Sequence, residues 1–288
     1  MTSTNTLKSV FLLALLTALL AAVGRALGGT GGMVIALAMA LMMNAGAYWF
    51  SDKIALSMNG AQEVSEEQAP DLHRMVEEVA YLSGMPKPRV YVVDTPSPNA
   101  FATGRDPQHA AVAVTTGIMG LLDRQELAGV LSHELAHVRN RDTLTATIVA
   151  TMAGAISLLA QMAQWALIFG GFGRRDDDEG PGVVGGLFMI ILAPIMATLI
   201  QLAISRAREY EADATGARLS HDPLALANAL EKLQRGTAIR PMVDANPATA
   251  HLFIVNPFSG SNFANLFSTH PPIEDRVRRL RQMAGLLS

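Results

Sequence analysis

Leu131-Ser132-His133-Glu134-Leu135-Ala136-His137 is the stretch on which the reading of this chain turns. It lies within residues 127–138, where Leu127, Val130, Leu131, Leu135 and Val138 recur at helical spacing. Positions i and i+4 of a helix share one face. His133 and His137 therefore offer two imidazoles to one point, with Glu134 beside them. Histidines so placed can bind one Zn²⁺ together, and a glutamate at that position can act as general base. Two surface histidines without a metal would show the same spacing. The apolar company argues against that reading, because the segment is too apolar for a solvated helix.

The rest of the chain says where such a site would sit. Of 288 residues, 50% are hydrophobic and only 16% charged, against about 25% charged in an ordinary soluble domain. The mean hydropathy is +0.27. Apolar stretches cover residues 7–27, 33–50, 144–172 and 183–205, and a helix needs about 20 such residues to cross a bilayer. Gly28-Gly29-Thr30-Gly31-Gly32 separates the first two, which reads as a helical hairpin. A cleaved signal peptide would also explain the first stretch, but the second follows at once and acts as a stop signal. The last two read as a second hairpin in preference to a buried core. The net charge of −3 gives no nucleic-acid footprint. The absence of cysteine excludes disulfides, cysteine zinc sites and thiol nucleophiles.

Four crossings would put residues 52–142 and 206–288 on the side of the N-terminus. That side carries Lys8, Lys53, Arg139, Arg141, Arg206 and Arg208 near the crossings, against Arg25, Arg174 and Arg175 opposite. The basic excess points to the cytoplasm.

A catalytic zinc keeps three protein ligands and one open position. Glu209-Tyr210-Glu211-Ala212-Asp213 follows the fourth apolar stretch by about one turn, and the histidine helix ends within about two turns of the third. At 1.5 Å per residue both lie roughly 10 Å or less from the membrane face, at neighbouring ends of one hairpin. Glu209 is thus the expected third ligand, with Glu211 competing. Asp213 lies four residues on, on the face of Glu209, and could hydrogen-bond a ligand histidine from behind. A merely charged juxtamembrane helix is the bland alternative.

Between the hairpins, Ser65-Glu66-Glu67 before Leu72, Met75, Val76 and Val79 reads as a capped amphipathic helix. Residues 89–93, 99–103 and 110–115 read as strands, and a helix is expected from 123 or 124. After the second hairpin, helices are expected over 205–219, 222–235 and 273–287, with 241–265 a long polar loop. His73, His109, His221 and His251 lack a partner pattern and read as surface or loop residues.

Taken with Pro98-Asn99-Ala100-Phe101-Ala102-Thr103-Gly104 and Ser268-Thr269-His270-Pro271-Pro272, these motifs resemble the HtpX-type membrane zinc metalloproteases, relatives of the CAAX-prenyl-protease metallopeptidases. The resemblance covers nearly the full length. It implies one Zn²⁺ per chain on His133, His137 and Glu209, with Glu134 catalytic and Asp213 supporting. It also implies an inner-membrane enzyme of protein quality control and stress response that degrades damaged or misfolded membrane proteins. With the resemblance in view, His270 is the candidate donor to the developing oxyanion and Arg276 a candidate to share that role. Asn99, Ala100, Phe101 and Ala102 would form an exposed edge strand that takes an extended substrate as a further strand.

The expected architecture is a mainly α membrane protein with four transmembrane helices and a cytoplasmic α+β zincin-like protease domain carrying a small β-sheet. Its parts are residues 1–51, an N-terminal transmembrane hairpin; 52–142, with the sheet and the histidine helix; 143–205, a second hairpin; and 206–288, with the third ligand. The expected partners are unfolded or damaged membrane proteins and the lipid bilayer, with no nucleic acid. Two rivals were weighed: a membrane scaffold that binds unfolded segments without cutting, against which an intact Glu134 speaks, and a prenylated-peptide protease, against which a short chain with four crossings speaks.

Overall fold

A computed structural model describes residues 2–146, 148, 206–242, 249, 252–256 and 271–285. Its first element, α1 (Thr2–Met58), is one helical run in its hydrogen bonding, yet it doubles back. The side-chain amide of Asn44 donates to the Thr17 hydroxyl at 2.8 Å and to the Leu13 carbonyl at 3.3 Å. In a straight helix Thr17 and Asn44 would stand about 40 Å apart. Gly29, with φ +58°, takes the left-handed turn that lets the two arms meet. The two arms therefore lie side by side as a helical hairpin. Of its arms, Gly29–Phe50 is long and apolar enough to cross a membrane, with 22 residues and a hydropathy of 1.6, while Leu13–Ala22 is shorter. No other described helix qualifies. The stretch 183–205, and 144–172 apart from residues 144–146 and 148, lie outside the described residues.

One mixed sheet follows, in the order β1-β2-β4-β3. Its strands are β1 (Gln62–Glu63), β2 (Arg89–Val93), β3 (Ala100–Thr103) and β4 (Ala111–Thr115). β1 runs antiparallel to β2, β2 parallel to β4, and β3 antiparallel to β4 with Ala102 opposite Val112. All of β4 is buried because both faces of the sheet are covered. Its alternation sends Val112 and Val114 to the main core and Ala111 and Ala113 to a smaller one. The smaller core is closed by Ala55 and Leu56 from the end of α1 and by Leu252 and Phe253. An ion pair between Asp52 and Arg89 fixes the hairpin to β2, and the Arg105 guanidinium lies 5.0 Å over the Trp49 ring.

The main core is helical. Around α4 (Arg124–Arg139) pack α2 (Pro70–Leu82), α5 (Arg206–Ser220) and α6 (Pro223–Ile239), while α3 (Thr116–Leu121) and α7 (Ile273–Met283) pack on α6. α4 carries the histidine motif and touches α2, α5, α6 and β3. Two local expectations give way. The helix expected to be capped by Ser65 starts at Pro70, which needs no N–H donor in a first turn. Ser65 instead closes a turn, its carbonyl accepting the N–H groups of Gln68 and Ala69 at 3.1 Å each. Residues 252–255, expected within a polar loop, are buried. Leu252-Phe253-Ile254-Val255 is an apolar run, and it packs on β3.

Candidate metal centre

α4 is held firmly before it reaches the site. Asp123 accepts the N–H groups of Gln125 and Glu126 at 2.9 Å, and the Glu126 carboxylate accepts the N–H of Asp123 at 3.0 Å, a complete capping box. The same Glu126 pairs with Lys232 of α6 at 2.6 Å. About two turns further on, α5 crosses α4 at backbone contact. A Cβ on Gly216 would stand 2.8 Å from the backbone nitrogen of His133. Only glycine permits that approach, and the approach brings Glu209 to the histidines.

The three expected ligands do converge. His133 Nε2 and His137 Nε2 are 3.2 Å apart. Glu209 Oε1 is 3.5 Å from His137 Nε2, and Oε2 is 3.8 Å from His133 Nε2. Zinc bonds of about 2.0–2.2 Å at tetrahedral angles require ligand atoms roughly 3.3–3.6 Å apart. The donor set therefore fits a zinc-sized cation, and among the described residues this is the one group of three or more acids and histidines that could hold a metal. Glu211, the competing acid, is not part of it.

Each histidine is oriented through its other nitrogen. His133 Nδ1 lies 2.9 Å from Asp213 Oδ1, and His137 Nδ1 lies 3.1 Å from Asp142 Oδ2. Protons on both Nδ1 atoms leave both Nε2 lone pairs facing the common point. Asp213 was expected behind a ligand, and it stands there. Asp142 was missed. It sits where it does because the chain leaves α4 through Arg141 in a left-handed conformation, φ +60°, before residues 142–146 turn helical. That conformation costs a non-glycine residue about 1–2 kcal/mol, and no arginine announces it.

Arg276, expected as an oxyanion donor, is fully buried behind the ligands instead. Its Nε and Nη2 donate to the two Asp213 oxygens at 2.8 and 2.7 Å, and Nη1 donates to the Ile254 carbonyl at 3.3 Å. Nη2 is also 3.4 Å from each ring nitrogen of His133. His270 lies outside the described residues. Glu134 accepts the backbone N–H of Ala102 on Oε2 at 3.0 Å, while its buried Oε1 has no hydrogen-bond partner among the described residues.

Burial pushes the Glu134 carboxyl up to about 8; the charge of His137 and the Ala102 N–H oppose the shift, and Glu209 adds to it. Burial also lowers His133 to about 4 despite Asp213. For His137 burial works against the charged form, but Glu209 and Asp142 outweigh it and raise the ring to about 9. Burial would raise Asp213, yet Arg276 overrides it and holds the carboxyl at about 2. His133 and His137, four residues apart on α4, are thus shifted in opposite directions by their surroundings.

β3 lies at the sheet edge, but it is not the exposed strand expected: Asn99 and all four residues of the strand are buried, and its outer side is partly occupied. The Ala100 carbonyl accepts the N–H of Ile254 at 3.1 Å, the Asn99 amide donates to the Val255 carbonyl at 2.8 Å, and the Phe101 and Phe253 rings meet edge to face at 5.2 Å. Of Asn99, Ala100, Phe101 and Ala102, only Ala102 stands beside Glu134.

A profile described as "Peptidase family M48" matches residues 66–284. A "Protease HtpX homolog" of Syntrophobacter fumaroxidans is 57% identical over 278 residues, 96% of this chain and 98% of that one. One of Pyrococcus furiosus is 56% identical over 273 residues, 95% and 94% of the two chains. Among solved structures, S. mikatae Ste24p superposes with a TM-score of 0.53 at 18% identity, over 96% of this chain and 65% of that one. At that identity the likeness is one of fold.

Proposed function

This chain belongs to peptidase family M48 and is a metallopeptidase; from that premise we propose that it is a zinc-dependent endopeptidase, multi-pass in the inner (plasma) membrane, that cleaves unfolded or damaged membrane proteins on the cytoplasmic side. The observation that carries the chemistry is the convergence of His133, His137 and Glu209 with the unengaged oxygen of Glu134. The apolar hairpin and the basic residues flanking the apolar stretches support the membrane setting and the side.

His133, His137 and Glu209 would hold the zinc, which when bound supplies a Lewis acid for the scissile carbonyl and lowers the pKa of an attacking water. Glu134 takes the proton of that water on Oε1 and hands it to the leaving amine, while the Ala102 N–H keeps Oε2 in place. With the site filled, the Glu134 carboxylate would be held ionised against the burial that raises it. Asp213, clamped by Arg276, and Asp142 hold the two rings in the tautomer that ligation needs. His270 is the residue proposed to stabilise the oxyanion. An extended substrate would pair along β3 at its Ala102 end, because Ile254 already occupies the Ala100 carbonyl. Pairing to backbone tolerates many sequences, which suits quality control of damaged proteins.

The test is cleavage of an unfolded model protein by the detergent-solubilised full chain and by Glu134→Gln, with zinc content measured on both. The expected result is about one zinc in each and a rate at least about 10³-fold lower in the variant. Full activity in the variant overturns the role of Glu134. Zinc in both with cleavage in neither, while a prenylated peptide is cut, replaces the broad-substrate reading with a narrow one.

A further inference from the structure

Beyond the ligands and Glu134, the site has a second acidic anchor with its own cation. Asp142 Oδ2 lies 3.1 Å from His137 Nδ1, and its other oxygen lies 3.4 Å from Arg208 Nη1. The arrangement parallels the other histidine, where Asp213 stands between His133 and Arg276. Both carboxylates are buried, and both arginines come from elements other than α4. Asp142 is held from behind as well, since the hydroxyl of its neighbour Thr143 donates to the Gly104 carbonyl at 3.0 Å.

The positions in the chain add meaning. Asp142 opens the helical residues 142–146, which lead into the apolar stretch 144–172. Arg208 stands three residues past the apolar stretch 183–205. The ion pair therefore joins the chain that leads into one apolar stretch to the chain that follows the other, here called the two arm bases, and its carboxylate also orients a metal ligand.

We propose that Asp142 and Arg208 are positioning residues for the metal: the pair locks the His137 ring with Nε2 toward Glu209 and ties metal retention to the closeness of the two arm bases. Asp142 fixes the ring and its tautomer; Arg208 fixes Asp142. Separation of the arm bases would draw Asp142 away from His137, free the ring to rotate and weaken the site without touching a ligand. The proposal rests on the metal-centre reading above.

The experiment uses the full chain in detergent, stripped of metal and titrated with Co²⁺ alone, following the visible absorption of the bound ion and then its displacement by Zn²⁺. Asp142→Asn is expected to bind about 10–100-fold more weakly, with a changed Co²⁺ band. Asp142→Glu recovers part of the affinity. Arg208→Gln is expected to lose roughly 3–10-fold, as a partner one contact further from the metal, whereas Arg208→Lys stays near wild type. If wild type binds no Co²⁺, the metal-centre reading fails. If wild type binds and Asp142→Asn matches it within about twofold with the same band, this proposal fails and that reading stands. Should Asp142→Asn lose its far-UV dichroism, the Arg208 pair decides: equal affinities in Gln and Lys overturn the proposal, and a difference supports it.

Discussion

The backbone N–H of Ala102 donates to Glu134 Oε2 at 3.0 Å, so the edge strand of the sheet holds the carboxylate of the helical motif that is proposed as the base. β3 turns this N–H away from β4, which leaves it free of the ladder. Ala102→Pro removes the donor without breaking a pair within the sheet. The expected outcome is a fall in turnover of about 10–100-fold with metal content unchanged, measured by single-turnover cleavage beside metal analysis. Turnover within twofold of wild type would show that the base needs no such hold.

Arg276 and Asp213 form the most deeply buried ion pair of the site. Removing one partner of such a pair costs about 3–5 kcal/mol, because the other charge is left in a poor solvent. Arg276→Met should therefore lower stability by about that amount, read as a shift of the denaturation midpoint. Adding Asp213→Asn should restore part of the loss, since no lone charge then remains. If the double variant is no more stable than the single one, the packing of the arginine matters more than its charge.

Stability of the metal-stripped protein should depend on pH with a definite sign. His137 is raised from 6.5 to about 9, so its contribution is complete below 6.5 and lost as pH rises through 9. Glu134 is raised from 4.5 to about 8, so the folded state holds its proton longer and loses that advantage on the way to 8. Both slopes run downward between pH 6.5 and 8, by at most about 1.4 kcal/mol per unit per group. Asp213 acts at the other end, where its contribution, present above 3.8, is lost as pH falls through about 2. Thermal midpoints across pH 6.5–9 for wild type and Glu134→Gln check this, above the range in which the lowered His133 works the other way. The variant should show the shallower decline, and equal slopes would remove Glu134 from the account.

Gly216→Ala places a methyl 2.8 Å from the His133 backbone. The two helices must part by several tenths of an ångström, and overpacking of this kind costs about 1–3 kcal/mol. Because Glu209 rides on the same helix, metal affinity should fall along with the melting temperature. Gly120→Ala, where no atom lies within 4 Å of the added carbon, is the control and should be nearly silent. Equal behaviour of the two variants would mean that the α4–α5 contact does not set the ligand geometry.

What was legible in the sequence follows from local periodicity and chain order. The four-residue spacing of His133 and His137 placed both rings on one face, and the placement of Glu209 needed only the adjacency of two hairpin ends. The strands at 89–93, 100–103 and 111–115 were legible because β-branched and small apolar residues stand between glycine and proline. Asp142 was not legible, because its approach depends on a left-handed turn at Arg141 that carries no residue signal. Arg276 reads as an oxyanion donor with the resemblance in view, and nothing in the sequence names the acid it meets. Residues 252–255 were passed over inside a polar region, although four consecutive apolar residues were there to be weighed.

The proposed ligands come from two separate stretches of chain, with His137 and Glu209 72 positions apart. At about 5–20 residues per second, a ribosome needs roughly 4–14 s to pass from one to the other. During that interval the nascent chain carries two histidines and a base but no third ligand, and Arg276 comes later still. A half-made protease therefore cannot assemble its cutting centre while other unfolded chains, its own included, are close at hand. Splitting the site across the chain delays its assembly until Glu209 and Arg276 have both been made.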